Sequence, residues 1–351
     1  MTICSVIIGT GSYIPLRVIS NEYFLDRPFY NRDGQKFPST QEVVEKLAEI
    51  SEIKKRRYVR NGQTLADIAT AAARDTLTSS GIDPECLDAI TVTQNGLKTP
   101  IPSIANEVRN MLGIQRERMA CMDIVSGCPG WIDGLAEADR AIRAGDQETI
   151  LVIGAEVLST YLDRRDRDSM LFGDGAAAVA VQRFESPHKV GILSYVPNSD
   201  GNKGLFFWER SYDPTFKSGR KYLHMDGRGV YKYAIRNVPE VMKESIQKAG
   251  LKIGDIKMIL MHQANGKMNR EILGRLGKLY GVELSSDVMP MTIPWLGNTS
   301  TASIPTMLDL ICRRDKMLER HTLNEGDNIM LVGIGAGTNI RSMVYRCHKT
   351  Y

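Results

Sequence analysis

A cysteine, a histidine and an asparagine stand at three turns of this chain, two of them where an apolar run gives way to a helical pattern. Cys128 lies in Asp123-Ile124-Val125-Ser126-Gly127-Cys128-Pro129-Gly130-Trp131, His262 in Met261-His262-Gln263-Ala264-Asn265, and Asn298 in Gly297-Asn298-Thr299-Ser300. A thiol, an imidazole and a carboxamide in one site would make a nucleophile with polarising partners, which is equipment for acyl-thioester chemistry. Pro129 suits a first helical position, and that places Cys128 at the N-cap. There the helix dipole favours a thiolate, and unpaired N–H groups are free to hold an oxyanion. Each residue also has a plainer reading. Cysteine is a small buried hydrophobe, which suits Cys4, Cys121 and Cys312 better. A lone histidine is usually structural, and Asn298 could cap the helix that follows it.

The elements that must position these turns alternate between short apolar runs and helical stripes, the pattern of an α/β chain. Strands are expected at 3–9, 89–93, 120–126, 150–153 and 176–181. Helices are expected at 64–80, 103–112 and 131–143, the first ended by Gly81 and the last by Gly145. The second half repeats this order, with strands at 258–261 and 329–332 and helices at 231–249, 268–276 and 301–313. The chain thus divides into an N-terminal half, 1–185, carrying the cysteine, and a C-terminal half, 186–351, carrying the histidine and asparagine. On this register the Cys128 and Asn298 turns are pseudo-equivalent, and two packed halves would bring them towards one cleft.

Residues 28–38 read as a polar loop. Residues 201–229 hold Phe206, Phe207, Trp208, Tyr212, Phe216 and Tyr222 among Lys203, Arg210, Lys217, Arg220 and Lys221. Such a segment could pack a long hairpin, roof an apolar substrate channel or stack on nucleic acid. The net charge of +4 puts nucleic acid last. The run Lys54-Lys55-Arg56-Arg57 could face an acidic partner or simply water.

At 351 residues, 42% hydrophobic and 25% charged, the chain has the make-up of an ordinary globular protein with a large core. Its six cysteines form no CxxC and no regular framework, so reduced thiols in a cytoplasmic setting are expected. No signal peptide, membrane span or cofactor requirement is read from it. Gly9-Thr10-Gly11 follows a strand, but Pro15 blocks the helix that a dinucleotide site needs. Gly333-Ile334-Gly335-Ala336-Gly337 lacks a P-loop lysine and instead suits close approach of backbone to a reacting carbonyl.

His262-Gln263-Ala264-Asn265, the run 297–305 (Gly-Asn-Thr-Ser-Thr-Ala-Ser-Ile-Pro), Gly173-Asp174-Gly175-Ala176 and the glycines ending at Gly337 together resemble the β-ketoacyl-[acyl carrier protein] synthase III family. The similarity covers nearly the whole chain. It implies a thiolase-like, duplicated five-layer αβαβα fold, a homodimer and a Cys128–His262–Asn298 triad. It further implies that Cys128 takes an acyl group from a CoA or carrier-protein thioester. His262 and Asn298 then stabilise the enolate left when malonyl loses CO2, and the backbone N–H groups of Cys128 and Gly337 form the oxyanion hole. The pathway would be fatty-acid initiation or a specialised polyketide or alkylresorcinol route; the alternative is acyl transfer without decarboxylation. By the same resemblance Ile101, in Thr99-Pro100-Ile101-Pro102, closes the partner's acyl pocket. Trp131, Lys267 and Trp208 are expected against substrate, and Lys267, Arg275 and Arg56 against an acidic carrier protein. The chain departs from the family at Pro129 and Trp131, at Lys267 where arginine is usual, and at Lys46 and Ile50 where an adenine would be gripped. These departures favour a carrier protein, or an unusual donor, over CoA.

Overall fold

Period-two burial along the strands explains the architecture, because alternate side chains feed two different cores. The structure is a computed structural model that describes residues 1–95, 101–201 and 204–351. Thr99 and Pro100 of the expected partner-facing loop, and Lys203 of the aromatic segment, lie outside the described residues.

The first half runs β1 (Thr2–Tyr13), β2 (Arg17–Ser20), α1 (Thr40–Ser51), β3 (Lys55–Tyr58), α2 (Leu65–Ser80), β4 (Ala89–Thr93), α3 (Ile104–Leu112), β5 (Ala120–Ile124), α4 (Gly130–Ala144), β6 (Thr149–Val157) and β7 (Asp174–Ser186). After 187–190 come β8 (Gly191–Ser199), β9 (Phe206–Glu209), β10 (Tyr222–Met225), α5 (Gly227–Lys248), β11 (Ile256–Met261) and α6 (Gly266–Tyr280). The chain closes with α7 (Ile293–Leu296), α8 (Ser303–Cys312), β12 (Asn328–Gly335) and β13 (Asn339–Arg346). Local signals account for several ends. Thr64 and Asp67 form a capping box on α2, Ser103 caps α3, and Gly81, Gly113 and Gly145 end their helices in the left-handed region.

One sheet has the order β1-β7-β6-β4-β5 and the other β11-β12-β13-β8. In the first, β4 runs parallel to β5 and β6, while β6/β7 and β7/β1 are antiparallel. In the second, β11/β12 is parallel, while β12/β13 and β13/β8 are antiparallel, so β11, β12, β13 and β8 pair in the same senses as β4, β6, β7 and β1. On β6, Ile150 and Val152 face one core while Leu151 and Ile153 face another. On β12, Ile329 and Leu331 share the core of Ile150, and Met330 and Val332 face a third. The shared core holds the apolar faces of α4 and α8; the outer cores hold α2 with α3 and α5 with α6. Five layers result, with α4 and α8 sandwiched between the sheets. Each fully buried Leu or Ile in them contributes about 1.5–3 kcal/mol.

The aromatic segment folds as the β9–β10 hairpin, whose buried His224 stacks on Tyr212 with ring centroids 4.0 Å apart. The helix expected at 301–313 is a 3-10 turn over Ser300–Ala302 followed by α8, and the helix expected from 231 begins four residues earlier. Neither half of the chain holds a helix long and apolar enough to cross a membrane, among the described residues.

Candidate active site

The parallel strands β4, β5, β6 and β11 deliver their carboxyl ends to one region, where sites form in α/β sheets. Cys128 follows β5, and its turn is fixed by contact with the other half. A Cβ on Gly127, which has φ +76°, would lie 2.8 Å from the Ala336 carbonyl oxygen. A Cβ on Gly335 would collide with the backbone nitrogen of Cys128, so glycine at both positions lets the two turns touch. Asn339 ties them further, donating from Nδ2 to Ala336 O at 2.9 Å and Ser126 O at 3.2 Å.

His262 sits one residue beyond β11, its N–H bonded to Val332 O at 2.8 Å and its carbonyl to Asn269 Nδ2 at 3.0 Å. A Cβ on Gly333 would lie 3.2 Å from the Cβ atoms of both His262 and Pro129, so the histidine and the cysteine turn flank one strand. Ring nitrogen Nδ1 is 2.7 Å from Ser303 Oγ, and Nε2 is buried without a hydrogen-bond partner. Burial pushes the imidazole down to about 3, so the ring is neutral.

Asn298 is held by its backbone, accepting from Gly173 N at 2.8 Å and donating to Leu171 O at 2.9 Å. Its Oδ1 accepts from Ser300 N at 2.8 Å, which turns the Nδ2 amide outward without a partner among the described residues. The backbone N–H of Gly337 donates to no backbone carbonyl among the described residues, and that of Cys128 faces only its own sulfur. Four groups on four turns are therefore in question: His262 Nε2, Asn298 Nδ2 and the backbone N–H groups of Cys128 and Gly337. Such groups bind oxygen atoms that carry negative charge.

Several expectations need correction. The N-cap of α4 is Pro129, one residue beyond Cys128. The thiol is not depressed but pushed up to about 11, because burial outweighs the Ser300 hydroxyl that opposes it. Trp131 is not a substrate contact: its ring is fully buried in the central core, with Nε1 donating to Val152 O at 3.4 Å. Arg56 is not available to a partner, being 1% exposed. It donates to Asn21 Oδ1 at 2.8 Å and lies over the Phe24 ring, and its Cβ packs beneath Gly173 and Gly297, which flank the Asn298 loop. Lys267 and Arg275, on α6, are exposed and paired with Glu49 and Glu271 at 2.8 and 2.7 Å. Ile101 and Trp208 are 82% and 48% exposed.

Sequence reasoning passed over Glu156, Ser300 and Ser303. A carboxylate inside the otherwise apolar run of β6 was the available signal for Glu156. The two serines are three apart within the Asn298 motif, which puts Ser303 Oγ 2.9 Å from Ser300 O. The Gly173-Asp174-Gly175 motif proves to be scaffold: the Asp174 carboxylate accepts from Val59 N and Ser159 N, each at 2.9 Å, and from Ser159 Oγ at 2.7 Å.

Comparison with known proteins follows the same lines. The family models for 3-oxoacyl-[acyl-carrier-protein (ACP)] synthase III match residues 122–201, and those for its C-terminal part match residues 246–347. The chain is 32% identical over 342 residues to the β-ketoacyl-[acyl-carrier-protein] synthase III of Staphylococcus haemolyticus, covering 97% of this chain and 98% of that one. Among solved structures it is similar to the synthase III of Thermus thermophilus, at 31% identity and TM-score 0.80, covering 97% of this chain and 98% of that one. It is also similar to the priming β-ketosynthase of the R1128 polyketide pathway, at 27% identity and TM-score 0.81, covering 99% and 97%. Both are thiolase-like in fold, as the five layers here are.

Proposed function

The chain belongs to the 3-oxoacyl-[acyl-carrier-protein] synthase III family of acyl-thioester condensing enzymes, and we propose that Cys128, His262 and Asn298 carry its chemistry. In this reading the N-terminal half, 1–185, supplies the nucleophile and the C-terminal half, 186–351, its two partners. The Cys128 sulfur attacks an acyl thioester from CoA or a carrier protein and displaces the donor's thiol. A malonyl-carrier protein then enters and loses CO2. His262 Nε2–H and Asn298 Nδ2–H hydrogen-bond the thioester oxygen as the enolate forms, a neutral imidazole being a donor here and not a base. The enolate carbon attacks the acyl-cysteine, whose carbonyl oxygen is received by the N–H groups of Cys128 and Gly337.

The observation that carries this reading is the set of polar groups left for a substrate, His262 Nε2 and Asn298 Nδ2 from side chains and the N–H groups of Cys128 and Gly337 from backbone. Simple acyl transfer needs only the backbone pair; the side-chain pair has work only when a second thioester must become an enolate. The edge of β5, unpaired among the described residues and with Met122 and Val125 exposed beside it, supports a homodimer, with Ile101 offered to the other protomer. Trp208, exposed on its hairpin, and Lys267 are offered to the incoming thioester, and the cations Lys267 and Arg275 to an acidic carrier protein.

The test is CO2 release from malonyl-carrier protein by enzyme preloaded with a panel of acyl thioesters, with Cys128→Ala alongside. Acyl-dependent release with a β-ketoacyl product, lost in Cys128→Ala, is the expected result. Acyl loading without CO2 release would overturn it in favour of plain acyl transfer.

A further inference from the structure

The turns that carry Cys128 and Gly337 belong to different halves of the chain, yet an oxyanion hole built from both needs them at one fixed separation. On β12, Gly333 and Gly335 lie directly opposite Arg341 and Asn339 of β13, so all four stand on one face of the sheet. The two glycines leave their part of that face bare, and the cysteine turn rests there. A Cβ on Gly335 would collide with Cys128 N, and one on Gly333 would lie 3.2 Å from Pro129 Cβ. Further along the same face of β13, Met343 and Tyr345 feed the central core. Where the cysteine turn is met, that apolar row gives way to two polar side chains, Arg341 and Asn339.

Asn339 makes one bond to each turn, donating from Nδ2 to Ser126 O at 3.2 Å and to Ala336 O at 2.9 Å. Its Oδ1 accepts from Ser199 Oγ at 2.7 Å, which fixes the orientation of the amide. Arg341, 8% exposed, donates from Nε to Asp133 Oδ1 at 2.5 Å, and from Nη1 to Asn198 O at 2.9 Å. Asp133 lies in the first turn of α4, directly after the nucleophile. The same carboxylate accepts from the Tyr195 hydroxyl on Oδ1 and from the Ser126 hydroxyl on Oδ2. Ser126, two residues before Cys128, is therefore gripped twice: by its carbonyl from Asn339, and by its hydroxyl from Asp133.

We propose that Asn339 and the Asp133–Arg341 pair are positioning residues that hold the Cys128 and Gly337 N–H groups at the separation an acyl oxyanion requires. The inference rests on the reading above, in which those two N–H groups receive the carbonyl oxygen of the acyl group. The three residues act through Ser126 and Ala336, close neighbours of the two donors in sequence. When the Cys128 sulfur bonds to the acyl carbon, the carbonyl oxygen takes up negative charge and both donors must meet it. A misplacement of about 1 Å in such a site costs up to about 10²-fold in rate. The glycines let the turns approach but do not stop them sliding apart, because glycine is the residue least restrained in backbone conformation. A buried ion pair is weak evidence for stability, since desolvation offsets its attraction. What Asp133 and Arg341 contribute is a fixed geometry, one partner from each half of the chain.

The experiment compares two reactions of the same sulfur in the full-length enzyme: acylation by the thioester that loads wild type fastest, and alkylation by iodoacetamide, which forms no oxyanion. In Asn339→Ala, Asp133→Asn and Arg341→Gln, acylation at saturating thioester is expected to slow about tenfold or more. The half-saturating thioester concentration should stay within about twofold, because the lost alignment matters only in the transition state. Alkylation should also stay within about twofold. Asn339→Gln, which keeps the amide, should recover part of the acylation rate. If Asp133 and Arg341 act as one unit, the double variant should be no slower than the slower single variant. Should the variants of the ion pair not fold, Asn339→Ala, which removes no charge, decides alone. Unchanged acylation in Asn339→Ala, or equal slowing of acylation and alkylation, overturns the proposal. Failure of the condensing reading looks different: wild type would release no CO2, whereas acylation is measured before any malonyl thioester is added.

Discussion

Ser303 Oγ lies 2.7 Å from Nδ1 of His262 and 2.9 Å from the carbonyl oxygen of Ser300, and it has one proton for the two acceptors. When that proton goes to the ring, Nε2 carries the imidazole hydrogen and meets substrate as a donor. When it goes to Ser300 O, the ring proton sits on Nδ1 and Nε2 offers only a lone pair. Enolate stabilisation needs the first arrangement. Ser303→Ala is therefore expected to lower malonyl decarboxylation about tenfold while leaving Cys128 loading intact, with the ring tautomer read from nitrogen chemical shifts. Equal rates with an unchanged tautomer would remove Ser303 from the mechanism.

Asn298 is a sharper case, because its Nδ2 is unspent while Oδ1 is held by Ser300 N. Asn298→Ala removes one of the two donors to the enolate oxygen, and loss of such a donor costs about 10²–10³-fold. Acyl loading of Cys128, which uses the backbone donors, is expected to survive. Parallel assays of acyl-enzyme formation and CO2 release check the split; equal loss of both would assign Asn298 to holding the turn.

How much of this was legible depended on whether the signal was local. The β4 strand at Ala89–Thr93 and the capped ends of α2 and α3 follow from residues adjacent in sequence, and the structure has them where the pattern put them. Turn chemistry at strand and helix ends singled out Cys128, His262 and Asn298, and the family resemblance, not spacing, implied that they form one triad. Arg56 was misread because a basic run in sequence says nothing about which face of β3 each side chain takes. Its neighbours alternate with it, and period-two burial sends Arg56 inward beneath Asn298. The Cys128 thiol was misread for a related reason: helix-end electrostatics are local, whereas desolvation is set by two halves closing over the sulfur.

That desolvation sets the pH behaviour. With the thiol pushed up to about 11, the reactive thiolate is a minor species at neutral pH. Alkylation of Cys128 by iodoacetamide should then rise about tenfold per pH unit across the neutral and mildly alkaline range. His262, held down to about 3, is neutral throughout, so its protonation should cause no loss of activity as pH falls from about 8 to about 5. A reactivity plateau near pH 7 would show that the sulfur is better solvated than this packing allows.

Arg56 makes a structural prediction at a position first read as a docking residue. Its side chain bridges Asn21 and Phe24, and its Cβ supports Gly173 and Gly297. Arg56→Ala keeps the Cβ beneath the Asn298 turn but leaves a cavity beside Asn21 and Phe24, and is expected to cost about 2–5 kcal/mol, the range for large-to-small changes in a core. Thermal and denaturant unfolding measure it. Affinity of the folded fraction for carrier protein should not change; a weakened affinity at unchanged stability would restore the docking role.

Lys267 and Arg275 carry the opposite expectation. They lie about two turns apart on α6, both exposed, in ion pairs with Glu49 and Glu271. Exposed pairs of this kind are worth roughly 0–1 kcal/mol, so an acidic partner displaces them at little cost. Replacing both cations with glutamate should leave stability nearly unchanged and lower kcat/KM for malonyl-carrier protein about tenfold or more, chiefly through slower association. The loss should shrink as salt screens the charges, because surface attraction decays over about 8–10 Å at physiological ionic strength. Turnover of malonyl-CoA, which presents no protein surface, serves as the control. An equal loss with both substrates would move the two cations from carrier docking to the shared path into the site.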